Sequence, residues 1–447
     1  MNPFKFDMVP YTRGVGIEIC PSPDKTYPHF IKWQPEGIHL LSRGSFDFAY
    51  YYADEEDDYI EISKALWGLI KQGGYLNIIF KAGMNFKGAD LSGTIIEEVN
   101  VDKLYYYALR KGDYDYIPAK NDEKTCAIVR YGGIGDMMFM SCVLPELKEQ
   151  GFHITLYTHP NSYEAVKKDP HIDRFILQDS GQVPIEWFRD FCIHTNRKYD
   201  RFINLSESIE GTLLSLPDRV SYYWPKEVRH EIMNRNYYEL TAKICGVNKN
   251  LCGKFYATEK EKKRARKFKN KHTQPVIVWI LSGSSVHKFW PHQDQAIARI
   301  LLQHPHANII MVGDDACRIL EQGWENEPRV HMKSGKWSVR ETMAFCQIAD
   351  LIITPETGVS LGVQFEDVPK ILLLSHSSRQ NYAEDWVNCI TVPPEGCDCY
   401  PCHQMHYGFE YCNQDEKTGA SLCQTKIGVD EVIFAVNRML TGMKKVG

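Results

Sequence analysis

Three places in this chain gather residues whose types and spacing could do chemistry. The first is Gly132-Gly133-Ile134-Gly135-Asp136. It follows the apolar run Cys126-Ala127-Ile128-Val129 and precedes apolar residues at Met137, Met140, Val143, Leu144 and Leu147. A strand that turns through glycines into a helix delivers backbone amides and one carboxylate to the carboxyl edge of a parallel sheet. In open α/β sheets ligands bind at that edge. The second place is the run Cys397, Cys399, Cys402, Cys412 and Cys423, five thiols in 27 residues. Cys399, Cys402, Cys412 and Cys423 have the spacing of a structural zinc site, with His403 and His406 as substitute ligands; the alternative is a set of reduced thiols. The third is residues 260–271, with eight Lys or Arg. They read as the solvated face of a helix, or as a patch that tracks the phosphates of a polyanion such as DNA.

The elements that must position these residues alternate between strand and helix. From 122 to 255, strands are expected at His153–Tyr157, Arg174–Leu177 and Asp200–Leu205, with a helix near Ser162–Lys168. From 270 to 430 the alternation repeats. Val276–Ile280 leads into Leu281-Ser282-Gly283-Ser284-Ser285, Asn308–Val312 into Gly313-Asp314, Leu351–Thr354 into Pro355-Glu356-Thr357-Gly358, and Ile371–Leu374 into Ser375-His376-Ser377. Four apolar strands that each end in a small or polar loop make one ligand-facing edge of a doubly wound sheet. The fold class expected is therefore α/β. Two Rossmann-like domains, 122–255 and 270–430, face a cleft, with the Cys-rich loop 397–423 in the second. Residues 430–447 form a closing helix, and 1–118 a small α/β domain.

The chain has 447 residues, is 43% hydrophobic and carries a net charge of −5, so it lacks the global basicity of a nucleic-acid binder. No apolar stretch approaches the roughly 18 residues of a membrane helix, and MNPFKFDMVP has no signal core. A cytoplasmic protein with no transmembrane segment is expected, and its 14 cysteines as mostly buried thiols.

The strings "SFDFAYYYADEED" and "LIKQGGYLNIIF" within 1–118 resemble later motifs of class I S-adenosylmethionine-dependent methyltransferases. Lys71-Gln72-Gly73-Gly74 is expected to cap a helix that starts at Glu61. The family's glycine loop after the first strand is missing: Glu18 is followed by Ile19-Cys20-Pro21-Ser22-Pro23. The segment is expected to be a degenerate structural domain that does not bind S-adenosylmethionine, with Gly14 and Gly16 as turn or packing residues.

Residues 122–440 resemble glycosyltransferase family nine, the ADP-heptose:lipopolysaccharide heptosyltransferase-like enzymes of GT-B architecture. The strings that carry the resemblance are "RYGGIGDMMFMSCVLPEL", "LSGSSVHKFWP", "MVGD" and "ADLIITPETGVS". The resemblance implies an inverting transfer from a nucleoside-diphosphate sugar to a hydroxyl. Asp136 would be the catalytic base, its plainer alternative a first-turn helix cap. It also implies donor binding by Gly133, Gly135, Ser284, Ser285, Lys288, Glu356, Thr357 and Gly358, with Lys288 at the phosphates. Glu356 stands where the family has Asp, and Ser360 near where it has His. These departures leave the donor sugar open. No metal or other cofactor is expected to be needed for catalysis, and Asp113-Tyr114-Asp115 is taken as a chance DxD. Two acceptors are weighed: a lipopolysaccharide or other saccharide hydroxyl, and a hydroxymethylated base in phage DNA reached through 260–271. The alternatives are a catalytically inactive nucleotide-sugar-binding scaffold and, less favoured, an active methyltransferase fusion.

Overall fold

The computed structural model describes residues 12, 14–19, 30–32, 38, 40–53, 58–84, 91, 93–101, 103–111, 122–177, 188–248 and 252–443. Asp113–Asp115 and the Cys20–Pro23 segment lie outside them. The chain forms two compact units. The first spans Met1–Tyr131, Gly151–Tyr163 and His171–Asn204; the second takes Gly132–Gln150, Glu164–Pro170 and Leu205–Gly447.

The first unit holds two sheets. One contains β1 (Gly16–Ile19), β2 (Phe30–Lys32), β3 (Phe46–Tyr52), β4 (Ile70–Lys81), β5 (Gly93–Val101) and β6 (Leu104–Lys111), in the order β2-β1-β3-β4-β6-β5. β1 to β4 pair in parallel, and β6 runs antiparallel to β4 and β5. Ile17, Ala49, Tyr51, Leu76 and Ile78 pack with Leu66 and Leu69 of the helix Tyr59–Leu69 in one core. That helix ends at Leu69, and β4 starts at once and runs through the glycines. The Gly73-Gly74 helix cap expected from sequence is therefore corrected. Gly74 lies inside the strand, where a side chain has no room: a Cβ would sit 2.3 Å from Ile70 and 2.5 Å from the Asp47 carbonyl. The second sheet is parallel, with β7 (Lys124–Val129), β8 (Phe152–Thr158), β9 (Arg174–Leu177) and β10 (Arg201–Asn204) in the order β10-β7-β8-β9.

The second unit is built on one parallel sheet: β11 (Val276–Ile280), β12 (Asn308–Val312), β13 (Val330–Met332), β14 (Leu351–Pro355), β15 (Lys370–Leu373) and β16 (Cys389–Val392). Its order is β13-β12-β11-β14-β15-β16. The chain begins at the centre, winds outward to one edge, then returns and winds to the other. Side chains on a strand alternate between faces. Ile277, Trp279, Ile309, Met311 and Ile353 thus pack with Ile297 and Ile300 of helix Gln293–Gln303 and with Val432 and Val436 of helix Val429–Met443. Val276, Val278, Ile280, Ile310 and Ile352 pack on the other face with Ala265 and Phe345. Helices on both faces explain why these strands are continuously apolar. The α/β class with parallel sheets is as read from the sequence.

Among the described residues no helix is long and apolar enough to cross a membrane. The basic run forms the helix Glu259–Lys269, capped by Thr258 and Glu261. Three of its cations are paired inside the unit: Lys262 with Glu259, Arg264 with Glu341 and Lys269 with Asp350.

Candidate active site

The reversal in strand order between β11 and β14 opens the sheet's carboxyl edge, the place where doubly wound sheets take their ligands. A cavity of about 480 Å³ lies there. Four strand ends contribute to its lining: Ser282, Gly283 and Ser284 after β11, Gly313 and Asp314 after β12, Glu356, Thr357 and Gly358 after β14, and His376 after β15. Gly133, Gly135 and Asp136 line it too, from the start of the helix Ile134–Ser141.

Asp136 is the third residue of that helix, and the Gly133 N–H donates to its Oδ2 at 2.6 Å. The carboxylate thus caps its own helix and also borders the cavity. The glycines before it are dictated by this proximity: a Cβ on Gly132 would stand 2.5 Å from Asp136 Oδ2. Gly135 and Gly358 serve a different contact. A Cβ on Gly358 would meet the Gly135 nitrogen at 2.4 Å, so two helix starts touch backbone to backbone.

Lys288 is buried, with burial lowering its pKa and the Glu356 and Asp136 carboxylates opposing that shift. Its Nζ makes no hydrogen bond among the described residues. Gly283 makes room for it, since a Cβ there would lie 2.6 Å from the Lys288 Cδ. A buried ammonium at a cavity wall, between two carboxylates, is suited to an incoming polyanion.

Glu356 is fully buried, and its carboxylate is taken up by the loop after β15. Oε2 accepts from the Ser375 N–H at 3.0 Å, the His376 N–H at 3.2 Å and the Ser375 hydroxyl, and Oε1 from the Ser377 N–H at 3.0 Å. His376 Nδ1 stands 2.8 Å from Oε2. Burial alone would raise this carboxyl's pKa, but His376, Ser375 and Lys288 together hold it down at about 2.

His287, Glu356 and His376 each offer one metal-ligand atom within 4.8 Å of the others. The hydrogen bonds account for His287 without an ion. The Ser375 hydroxyl donates to Glu356, so His287 Nδ1–H donates to the Ser375 oxygen at 3.0 Å. Nε2 then accepts the His406 N–H at 3.3 Å. Burial, with the neighbouring His376 and Lys288, pushes this imidazole well below its usual pKa and keeps it neutral.

The Cys-rich segment is tied to the same loops: the His403 N–H donates to the His376 carbonyl, and the Val286 N–H to the His406 carbonyl. Cys399 Sγ is 3.4 Å from Cys397 Sγ and holds the Cys397 thiol down at about 6. Burial raises Cys402 to about 12 and Cys412 to about 11, and raises Cys423 with Cys402 and Cys412 adding to the effect. Among the described residues no three of these sulfurs lie within 4.8 Å of one another.

The cavity brings together Gly133, Gly135, Asp136, Ser284, Lys288, Glu356, Thr357 and Gly358. Ser285 is not in its lining; that side chain is buried and its hydroxyl has no partner among the described residues. The sequence reading gave no role to His376, Trp337 or Tyr382, which also line the cavity. His376 had a signal, since it follows an apolar strand within a Ser-His-Ser loop. Trp337 and Tyr382 had none.

Residues 195–360 match the model of glycosyltransferase family 9 (heptosyltransferase). No curated protein matches the chain. Among solved structures, the glycosyl transferase family 9 protein from Veillonella parvula DSM 2008 superposes with a TM-score of 0.52 at 18% identity, covering 73% of this chain and 100% of its own. E. coli ADP-heptose lps heptosyltransferase II gives 0.49 at 14% identity, with 72% and 99% covered. The dodecameric iron-containing heptosyltransferase TibC of enterotoxigenic E. coli, in complex with ADP-D-β-D-heptose, gives 0.47 at 12% identity, with 72% and 79% covered. The first of these likenesses extends to the fold.

Proposed function

We propose that this chain, whose residues 195–360 carry a glycosyltransferase family 9 domain, is an inverting glycosyltransferase that uses a nucleoside-diphosphate sugar. The observation that supports this most is one cavity holding Asp136, Lys288 and the Glu356-Thr357-Gly358 turn at the switch point of the sheet. The donor lies along the strand ends, with its diphosphate beside Lys288. Asp136 takes the proton of the acceptor hydroxyl. The acceptor oxygen attacks the anomeric carbon from the face opposite the diphosphate, and the carbon–oxygen bond to the diphosphate breaks. Its electron pair leaves on the diphosphate oxygen, where Lys288 offsets the new charge. No metal enters this scheme, because a buried ammonium already stands where the leaving charge develops.

The acceptor is a saccharide hydroxyl. A hydroxymethylated DNA base draws less support: three of the seven cations on the helix that would track DNA are paired within the fold. Cys399, Cys402, Cys412 and Cys423 are reduced thiols in this reading rather than zinc ligands: among the described residues no three of their sulfurs lie within 4.8 Å of one another, and burial favours the neutral thiols of Cys402, Cys412 and Cys423. Elemental analysis of the purified protein tests this; stoichiometric zinc overturns it.

The main test is a thermal-shift panel of nucleotide-sugars, followed by mass spectrometry of candidate saccharides and hydroxymethylated DNA with the best donor. Stabilisation by one donor and mass transfer to one acceptor is expected. A donor that binds but never reacts, in wild type as in Asp136→Asn, would favour the inactive scaffold instead.

A further inference from the structure

His376 stands on the loop after β15 and lines the same cavity as Lys288 and Asp136. It is buried, 3% exposed, so its ring cannot turn freely. Its Nδ1 faces the Glu356 carboxylate at 2.8 Å, and that carboxylate is itself fixed by the amides of Ser375, His376 and Ser377. An ionised carboxylate accepts hydrogen bonds and donates none, so Nδ1 carries the proton. Nε2 makes no hydrogen bond among the described residues. The arrangement is an imidazole whose orientation and tautomer are set from behind by a buried carboxylate, in a cavity that also holds an ammonium.

We infer that His376, as an imidazolium backed by Glu356, is a second cationic contact for the donor's diphosphate, its Nε2–H donating to a phosphate oxygen beside Lys288. This rests on the donor reading above and adds a residue to it. With Nδ1–H committed to Glu356, neutral His376 would present a lone pair to the phosphate. Diphosphate binding therefore requires Nε2 to be protonated, and binding takes up a proton wherever His376 starts neutral. No bond to carbon changes at this residue: it holds the leaving group while the glycosidic carbon–oxygen bond breaks.

The groups that face His376 are Glu356 after β14, His287 after β11, and His403 and His406 of the Cys-rich segment, with Lys288 acting through Glu356. Burial, reinforced by neighbouring cationic groups, lowers His403 to about 3 and His406 to about 4, and His287 well below its usual value.

The test is calorimetric titration of the full chain with ADP-, UDP-, GDP- and dTDP-glucose, and with the matching nucleosides. His376→Gln is expected to bind the best-binding nucleotide-sugar about tenfold more weakly than wild type and to bind the nucleoside as wild type does. Unchanged nucleoside binding shows that the variant's cavity is intact. Nucleotide-sugar binding that His376→Gln leaves unaltered in strength overturns this inference alone. If wild-type protein binds none of the four, the donor reading falls and this inference falls with it.

Discussion

The β1–β6 sheet and the β11–β16 sheet both place glycines and acids at strand termini, the starts of β1 and β3 in the first and the carboxyl ends in the second, yet they use these residues differently. In the first sheet, a Cβ on Gly16 would lie 2.0 Å from the Phe48 ring, so this glycine makes room for an internal aromatic. Asp47 accepts the Val15 N–H at 2.8 Å and pairs with Lys71 at 2.9 Å. Its charge is consumed in holding strand ends together. In the second sheet, Gly283 makes room for the stem of a lysine whose ammonium has no hydrogen bond among the described residues, at the wall of a cavity. A glycine-rich strand end thus reports close approach. Whether that approach serves packing or chemistry depends on what fills the space.

The largest test of this contrast exchanges carboxylates for amides in both sheets. Asp136→Asn should lower transfer by about a thousandfold while leaving donor affinity within about twofold, since a general base contributes about 10²–10⁴-fold. Asp47→Asn should leave turnover unchanged and cost about 1–2 kcal/mol of stability, from one weakened buried acceptor. Steady-state rates with the identified acceptor and urea midpoints distinguish the two. Full activity in Asp136→Asn would reduce that residue to its helix-capping role.

Lys288→Ala comes next. Removing a buried cation from a diphosphate site should weaken nucleotide-sugar binding about a hundredfold and leave nucleoside binding nearly unchanged. Lys288 has no hydrogen-bonded partner to orphan among the described residues, but its ammonium helps hold the buried Glu356 charge, so some stability should be lost as well. A calorimetric comparison of ligand with and without the diphosphate separates the phosphate contact from general damage.

Glu356 gives a pH test with a definite sign. Its folded pKa, about 2, lies below the ordinary carboxylate value of roughly 4.3. A depressed carboxylate contributes stability that is present above its unfolded pKa and is lost as pH falls through the folded one. The second unit should therefore lose on the order of 3 kcal/mol between about pH 4.5 and pH 2 through this group. Glu356→Gln keeps the shape but lacks this proton, so its urea midpoint should change less over that window. A wild-type midpoint that stays flat there would show that Ser375 and His376 do not hold the charge.

Much of this was legible in the sequence, and physical reasons mark where legibility stopped. β11, β12, β14 and β15 are covered on both faces, so each appears as an unbroken apolar run. β13 and β16 lie at the sheet's edges, are short and are partly exposed, and no run marked them. The helix after Asp136 was read as one but is two, Ile134–Ser141 and Leu144–Glu149, with Pro145 in the first turn of the second. At the site, Asp136 and the Glu356 turn sit in strand-to-loop strings, whereas Lys288 was marked only by the family resemblance. The bond from Glu356 to the loop at Ser375 is a contact across 19 residues, which periodicity cannot show. Trp337 and Tyr382 lie in segments with no strand end to flag them.

The smallest effect concerns the two glycines that touch. Gly358→Ala would place its Cβ 2.4 Å from the Gly135 backbone nitrogen and 2.9 Å from the Ile134 Cβ. Neither can move without shifting a helix start, so the cost should be about 1–3 kcal/mol. Gly135→Ala meets only the Leu361 Cδ1 at 3.2 Å and the Gly358 Cα at 3.4 Å. The leucine methyl can give by a few tenths of an ångström. Alanine also recovers about 0.5–1 kcal/mol relative to glycine inside a helix. The two terms nearly cancel, and the melting temperature of Gly135→Ala should stay within about 2 °C of wild type. If both variants are tolerated, helix-start packing is not what demands glycine here. The remaining reason for Gly135 would be room for a ligand against its backbone, which a loss of nucleotide-sugar affinity without loss of stability would reveal.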